Sequence, residues 1–198
     1  MAKRIDFYLS ITSPWTFLGW QRFEEIAARH GVEIAYKPAN FGEVFSVSGG
    51  LPLPKRAPQR QAYRLAELKR WREHLGIPIT IEPKHFPAQG WPAAGMVTAA
   101  REQGLDCGGL GHAILRAVWI EERDIDDRDT LAAIAGENGL DGSALLDAAE
   151  SEAVKAAFAA DTKEAIDRGV FGAPSYVYRD EIFCQDRLDF VERALARD

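Results

Sequence analysis

The stretch from Arg4 to Lys37, RIDFYLSITSPWTFLGWQRFEEIAARHGVEIAYK, decides the fold. Its first seven residues, Arg4 to Ser10, are apolar and aromatic enough for a buried strand. Ser13-Pro14 then suits a helix start. A serine hydroxyl can cap the free N–H groups, and proline is tolerated at the first helical position because no N–H is needed there. Trp15, Leu18 and Gly19, Arg22 and Phe23, and Ile26 and Ala27 continue at helical spacing. His30-Gly31 closes the pattern, since glycine readily takes the left-handed conformation that ends a helix. Val32 to Lys37 reads as a second strand. The first forty residues therefore predict strand–helix–strand, a crossover unit with parallel strands.

Working outward, residues 41–57 are rich in glycine, serine and proline and read as loop. Pro58 opens a helix that runs to Leu75-Gly76, with Leu65, Leu68 and Leu75 on one face. Ile79 to Pro92 is irregular. From Ala93 to Arg168 the chain reads as helix after helix, punctuated at Gly104, Gly108-Gly109, Asp124–Asp127 and Gly139–Gly142, with no strand signal. The tail changes character. Tyr176-Val177-Tyr178 and Ile182-Phe183-Cys184 flank Arg179-Asp180-Glu181 at hairpin spacing, and an amphipathic helix follows from about Asp186 through Leu195. The order is βαβ, helices, ββα. That is an α/β protein with a thioredoxin-like fold and a large all-helical insertion: residues 1–40 plus 166–198 form the scaffold, and 41–165 the insertion.

Bulk properties narrow the function. The 198 residues are 46% hydrophobic and 27% charged, ordinary for a globular protein. No apolar run has the length of a membrane span, and the first residues show no secretory signal, so the expected location is the cytoplasm. Cys107 and Cys184 lie far apart, which excludes a CxxC redox centre and argues against a disulfide framework. His30, His74, His85 and His112 show no metal-ligand spacing, so no metal is expected. A net charge of −6 argues against nucleic acid as a partner. The cations are unevenly spread, however: Lys55, Arg56, Arg60, Arg64, Lys69, Arg70 and Arg72 cluster against the single acid Glu67.

Several pieces, taken in order, carry a family resemblance. They are Asp6-Phe7-Tyr8, Ser13-Pro14-Trp15, the run from Tyr63 to Trp71, the loop from Gly169 to Ser175, and Gln185-Asp186-Arg187-Leu188. Over nearly the whole chain this resembles the 2-hydroxychromene-2-carboxylate isomerase family, which is similar to kappa-class glutathione transferases and, more distantly, to DsbA-type oxidoreductases. The resemblance implies an enzyme with glutathione as cofactor and a small aromatic molecule as substrate, with no nucleic-acid or membrane partner. Relatives are often dimers, so it also allows a homodimer. The implied reaction interconverts 2-hydroxychromene-2-carboxylate and trans-o-hydroxybenzylidenepyruvate by thiolate addition, bond rotation and elimination.

Each implied site residue also has a plain structural reading. Ser13, the implied catalytic residue, would donate its hydroxyl to the glutathione thiolate beside the helix N-terminus; alone it is an ordinary cap. Thr12 is the adjacent, lesser candidate. Ala173-Pro174 occupies the resemblance's cis-proline position, where Ala173 would meet glutathione through main-chain atoms; otherwise it is a loop entering a strand. Gln185 and Asp186 would hold the γ-glutamyl carboxylate and ammonium, while Asp186 alone reads as the cap of the last helix. Relatives usually have glycine before this glutamine, where this chain has Cys184. Arg60 stands where kappa-class relatives have lysine, and Arg64, four residues on, shares its helix face; a charge run is otherwise a solvated surface. Trp15, Trp91 and the segment Lys84-His85-Phe86-Pro87 are candidates for an aromatic-binding wall, with His85 read as structural.

Two other functions compete with the isomerase. A kappa-like glutathione transferase would use the same thiolate site and release the conjugate. A non-catalytic thioredoxin-fold binding or chaperone protein would use the scaffold without the chemistry. A disulfide oxidoreductase is disfavoured because Ser13 and Thr16 stand where the exchange reaction needs protein thiols.

Overall fold

The strand Lys3–Leu9 (β1), the helix Pro14–Arg29 (α1) and the strand Val32–Pro38 (β2) form the expected crossover, with β1 and β2 parallel and Phe7 opposite Tyr36. The computed structural model describes residues 3–197; Met1, Ala2 and Asp198, which the expected scaffold boundaries include, lie outside the described residues. Ser13 caps α1 with an extended backbone, and Gly31 has φ +60° just past its end.

The chain returns to this sheet only after the helical run. Ser175–Tyr178 (β3) pairs antiparallel with β1, placing Tyr176 opposite Phe7, and Glu181–Cys184 (β4) pairs antiparallel with β3. The sheet order is β2-β1-β3-β4. Glu181, expected in the turn, instead pairs with Tyr178, so the hairpin turn is Arg179-Asp180.

Strand alternation sends Ile5, Phe7 and Leu9 to the face covered by α1, while Tyr8 joins the core on the opposite face. Phe7 stacks on Tyr176 at 5.1 Å between ring centroids, and Phe23 lies 4.4 Å from Tyr176. Fully burying one such ring is worth about 1.5–3 kcal/mol. Between β2 and β3 the chain also forms Pro58–Leu75 (α3), Ala93–Glu102 (α4), Cys107–Trp119 (α5), Arg128–Glu137 (α6), Gly142–Ala149 (α7) and Glu152–Asp167 (α8), the last of which runs across the expected boundary at residues 165 and 166. One contiguous hydrophobic cluster joins these helices to the sheet, from Phe7 and Trp20 through Met96 and Trp119 to Leu145.

Two further expectations need correction. Residues 41–57 are not all loop, because Phe41–Ser48 forms a helix (α2). Asn40 accepts from the N–H of Gly42 at 3.0 Å and donates to Glu43 at 2.7 Å, so one side chain caps the turn and orders its first acid. Phe41 and Val44 are thereby buried in the core on the Tyr8 face. The last helix, Leu188–Leu195 (α9), begins two residues later than expected. Arg187 occupies its cap position without a side-chain hydrogen bond, so Asp186 is not a helix cap.

Candidate active site

A cavity of about 620 Å³ lies where the first turn of α1, the segment from α2 to α3, and the loop before β3 converge. That size falls within the range of about 300–1,000 Å³ typical of small-molecule sites. Ser13, Arg60, Ala173 and Gln185 all line it. Pro174 is buried directly behind Ala173. Asp186 lies one residue beyond Gln185, beside a narrow cleft formed with Arg22 and Trp71; Trp15 and Gln185 border both spaces.

Ser13 is a cap with chemistry left over. Its Oγ accepts the N–H of Thr16 at 3.3 Å, which uses an oxygen lone pair. A hydroxyl also carries a proton, and no described residue accepts it. The Ser13 O–H is therefore free to donate into the cavity at the positive end of a 16-residue helix. Thr12 also lines the cavity, but its hydroxyl is 3.3 Å from that of Ser10. Thr16 is fully buried, and its own hydroxyl has no partner among the described residues.

The opposite wall is made by the loop before β3. The Ala173-Pro174 peptide bond is cis, and the Pro174 carbonyl accepts the N–H of Gln185 at 2.8 Å. That bond ties the loop to the end of β4, where Gln185 itself sits at φ +50°. The main-chain N–H and C=O of Ala173 have no hydrogen-bond partner among the described residues. Cys184 also borders the cavity, with its Sγ 2.9 Å from Ser175 Oγ; burial pushes this thiol's pKa up, so it stays protonated and is a poor nucleophile.

Charge sets this cavity apart. Arg56, Arg60 and Arg64 all line it, and no aspartate or glutamate does. Arg56 donates Nε–H to the Leu51 carbonyl at 2.7 Å, and burial, then Arg60, lowers its pKa. Arg60 is exposed at the rim. Arg64 is 9% exposed and lies 5.4 Å above the Phe86 ring, with burial first and then Arg56 lowering its pKa. Five aromatic rings also line it, those of Trp15, Phe41, Phe45, Phe86 and Phe171.

Of the expected aromatic wall, Trp15 and Phe86 reach the cavity. Trp91 instead packs on Phe158 at 5.4 Å and donates to Glu150, and the Nδ1 of His85 lies 3.4 Å from Asp124. The sequence pattern points to neither Phe41 nor Phe45, and it shows Arg56 only as one member of a charge run. The Asn40-to-Glu43 capping spacing was the available signal for Phe45, because it announces the helix that carries that ring. Among the described residues, no cluster of histidine, cysteine, aspartate or glutamate is arranged to hold a metal, and no helix is long and apolar enough to cross a membrane.

The fold and the site together define a thioredoxin-type protein with two hydroxyl side chains, Ser13 and Thr16, at the start of its first helix. The family model described as a DSBA-like thioredoxin domain matches residues 4–196, and the chain belongs to that family; within it, the chain is an enzyme of the 2-hydroxychromene-2-carboxylate isomerase family. It is 30% identical to a 2-hydroxychromene-2-carboxylate isomerase of Sphingobium xenophagum, over 98% of this chain and 99% of that one. A solved structure of a 2-hydroxychromene-2-carboxylate isomerase superposes with a TM-score of 0.82 at 26% identity, covering 98% of this chain and 95% of the other. Glutathione S-transferase kappa 1 of Caenorhabditis elegans is 25% identical over 86% of this chain and 78% of its own.

Proposed function

We propose that the protein is a glutathione-dependent isomerase interconverting 2-hydroxychromene-2-carboxylate and trans-o-hydroxybenzylidenepyruvate. The observation that carries this reading is the acid-free, arginine-lined cavity into which Ser13 can donate a proton. Glutathione brings carboxylates and a thiolate, and the aromatic substrate brings a further carboxylate. A wall of three arginines and five aromatic rings suits that pair of ligands.

The residues present fit glutathione. Ser13 O–H and the N-terminus of α1 lower the energy of an anion placed against them, so a thiol there ionises nearer neutral pH than its ordinary value of about 8.5. The unpartnered main chain of Ala173, held by Pro174, offers both a donor and an acceptor to a peptide backbone. Gln185, with Asp186 beside it, would take the γ-glutamyl end, and Arg60 a carboxylate at the rim. Bound glutathione supplies the thiolate, whose reversible addition to the conjugated carbonyl lets the double bond rotate. Ser13 keeps its own proton throughout and acts as a donor.

In this reading the two parts of the chain divide the work. Residues 1–40 and 166–198 supply Ser13, Ala173, Pro174, Gln185 and Asp186 for glutathione. Residues 41–165 supply the arginines and Phe86.

The test follows absorbance of 2-hydroxychromene-2-carboxylate with and without glutathione. The expected result is conversion that requires glutathione and leaves its concentration unchanged. Stoichiometric loss of glutathione would make the protein a transferase. Glutathione binding without turnover would make it a binding module.

A further inference from the structure

We propose that Arg64 is the anchor for the carboxylate of the aromatic substrate, and that this residue selects α-keto acids over neutral electrophiles. The inference deepens the isomerase reading and rests on it for the identity of the electrophile. Its structural basis is an unpartnered charge. Arg64 is nine-tenths buried and lines the cavity, yet no carboxylate or carbonyl among the described residues accepts from its guanidinium. What surrounds it is aromatic: Phe86 at 5.4 Å and Trp119 at 6.0 Å from ring centroid to guanidinium carbon. These rings offer π faces and no hydrogen-bond acceptor.

A buried cation without an anion is costly to a fold and is ordinarily paired. The missing partner has a place, because the cavity that Arg64 borders holds no acid of its own. Two neighbouring cations are differently placed. Arg56 already donates to Leu51, and Arg60 stands exposed one helical turn nearer the start of α3. Arg64 is the deep position and borders the cavity together with Phe86. A flat molecule with an aromatic ring at one end and a carboxylate at the other fits this pair: the ring packs on Phe86, and the guanidinium fork takes the carboxylate, in one plane with its adjacent ketone. Addition of a thiolate to such a conjugated system moves negative charge toward the ketone oxygen, next to the anchored group. Arg64 would then both orient the electrophile and favour that shift of charge.

The test compares Arg64→Met, Arg64→Lys and the wild-type protein in calorimetric titrations with trans-benzylidenepyruvate and its methyl ester, without glutathione. Wild type is expected to bind the acid at least ten-fold more tightly than the ester. Arg64→Met should lose that preference and bind glutathione as wild type does, while Arg64→Lys, which keeps charge but not the fork, should retain part of the preference. The melting temperature of Arg64→Met should be unchanged or higher, since a buried unpaired charge is removed, and this shows the variant folded. In turnover, KM for the chromene should rise at least ten-fold. Wild type without an acid preference, or Arg64→Met that retains it, would overturn the proposal. Arg64→Met that loses glutathione affinity instead would also overturn it. A preference for the acid that depends on Arg64, in a protein that does not isomerise the chromene, would sink the isomerase reading and leave this one standing.

Discussion

At the scale of single residues, Ser13 is asked to do two things with one oxygen, and hydroxyl chemistry permits both. The lone pair serves the N–H of Thr16, and the proton remains for a ligand. Removing the hydroxyl should separate the two roles. Ser13→Ala is expected to lower stability by about 1 kcal/mol, the usual cost of a lost cap. It should lower kcat by roughly a hundred- to a thousand-fold, in line with the loss of one donor to a developing anion. Ser13→Thr keeps a hydroxyl and a cap and should recover much of both. Melting curves and steady-state kinetics on the two variants make the check, and turnover unchanged in Ser13→Ala would remove Ser13 from the chemistry. The same residue shows what sequence reading can and cannot deliver. Ser-Pro at a helix start is visible as a cap from its two side chains alone. Its proximity to Ala173 and Gln185, more than 150 positions away, needs β3 to come home beside β1.

At the scale of elements, the packing seam between α1 and α5 carries a titratable ring. His112 on α5 stacks on Phe17 at 5.8 Å and on Trp20 at 5.9 Å, and burial holds its pKa below the ordinary 6.5, with Glu24 opposing and Arg116 adding to the effect. The folded protein thus resists a proton that the unfolded chain accepts. The stabilisation is fully present above about pH 6.5 and is lost as pH falls through the lower folded value. Melting temperature is expected to decline between pH 7 and pH 5, and the decline should be shallower in His112→Gln, whose absolute stability is also lower for want of the stacking. An identical slope in the two proteins would assign the decline to other groups. Elements also mark the limit of what was legible. α1 and α3 announce themselves by proline starts and glycine ends, because those residues act through local backbone geometry. α2 was hidden in a glycine- and serine-rich run, where composition outvoted the capping signal of Asn40 and Glu43. α9 starts late because Gln185 at φ +50° and its bond to Pro174 hold the chain out of helix, a constraint imposed by the tertiary fold and absent from the local pattern.

At the scale of the whole molecule, the charge distribution opposes itself. The chain carries a net −6, yet the cavity at Ser13 is lined by three arginines without one acid. The net charge repels anionic ligands at a distance, and the cavity attracts them once they are within about a Debye length, near 10 Å at 0.1 M salt. The arginine-lined wall should therefore govern how binding responds to ionic strength. Salt screens the favourable local field, so kcat/KM for the carboxylate substrate is expected to fall several-fold between 0.02 M and 0.5 M sodium chloride, mostly through KM. Binding of the neutral methyl ester used above should change far less, because its apolar contacts with the aromatic wall do not depend on screening. Melting temperature over the same range serves as the control, since loss of fold would lower both. A salt response equal for acid and ester would mean that the arginines do not meet the substrate. A rise in kcat/KM with salt would mean that the repulsion of the net charge outweighs the cavity's own field.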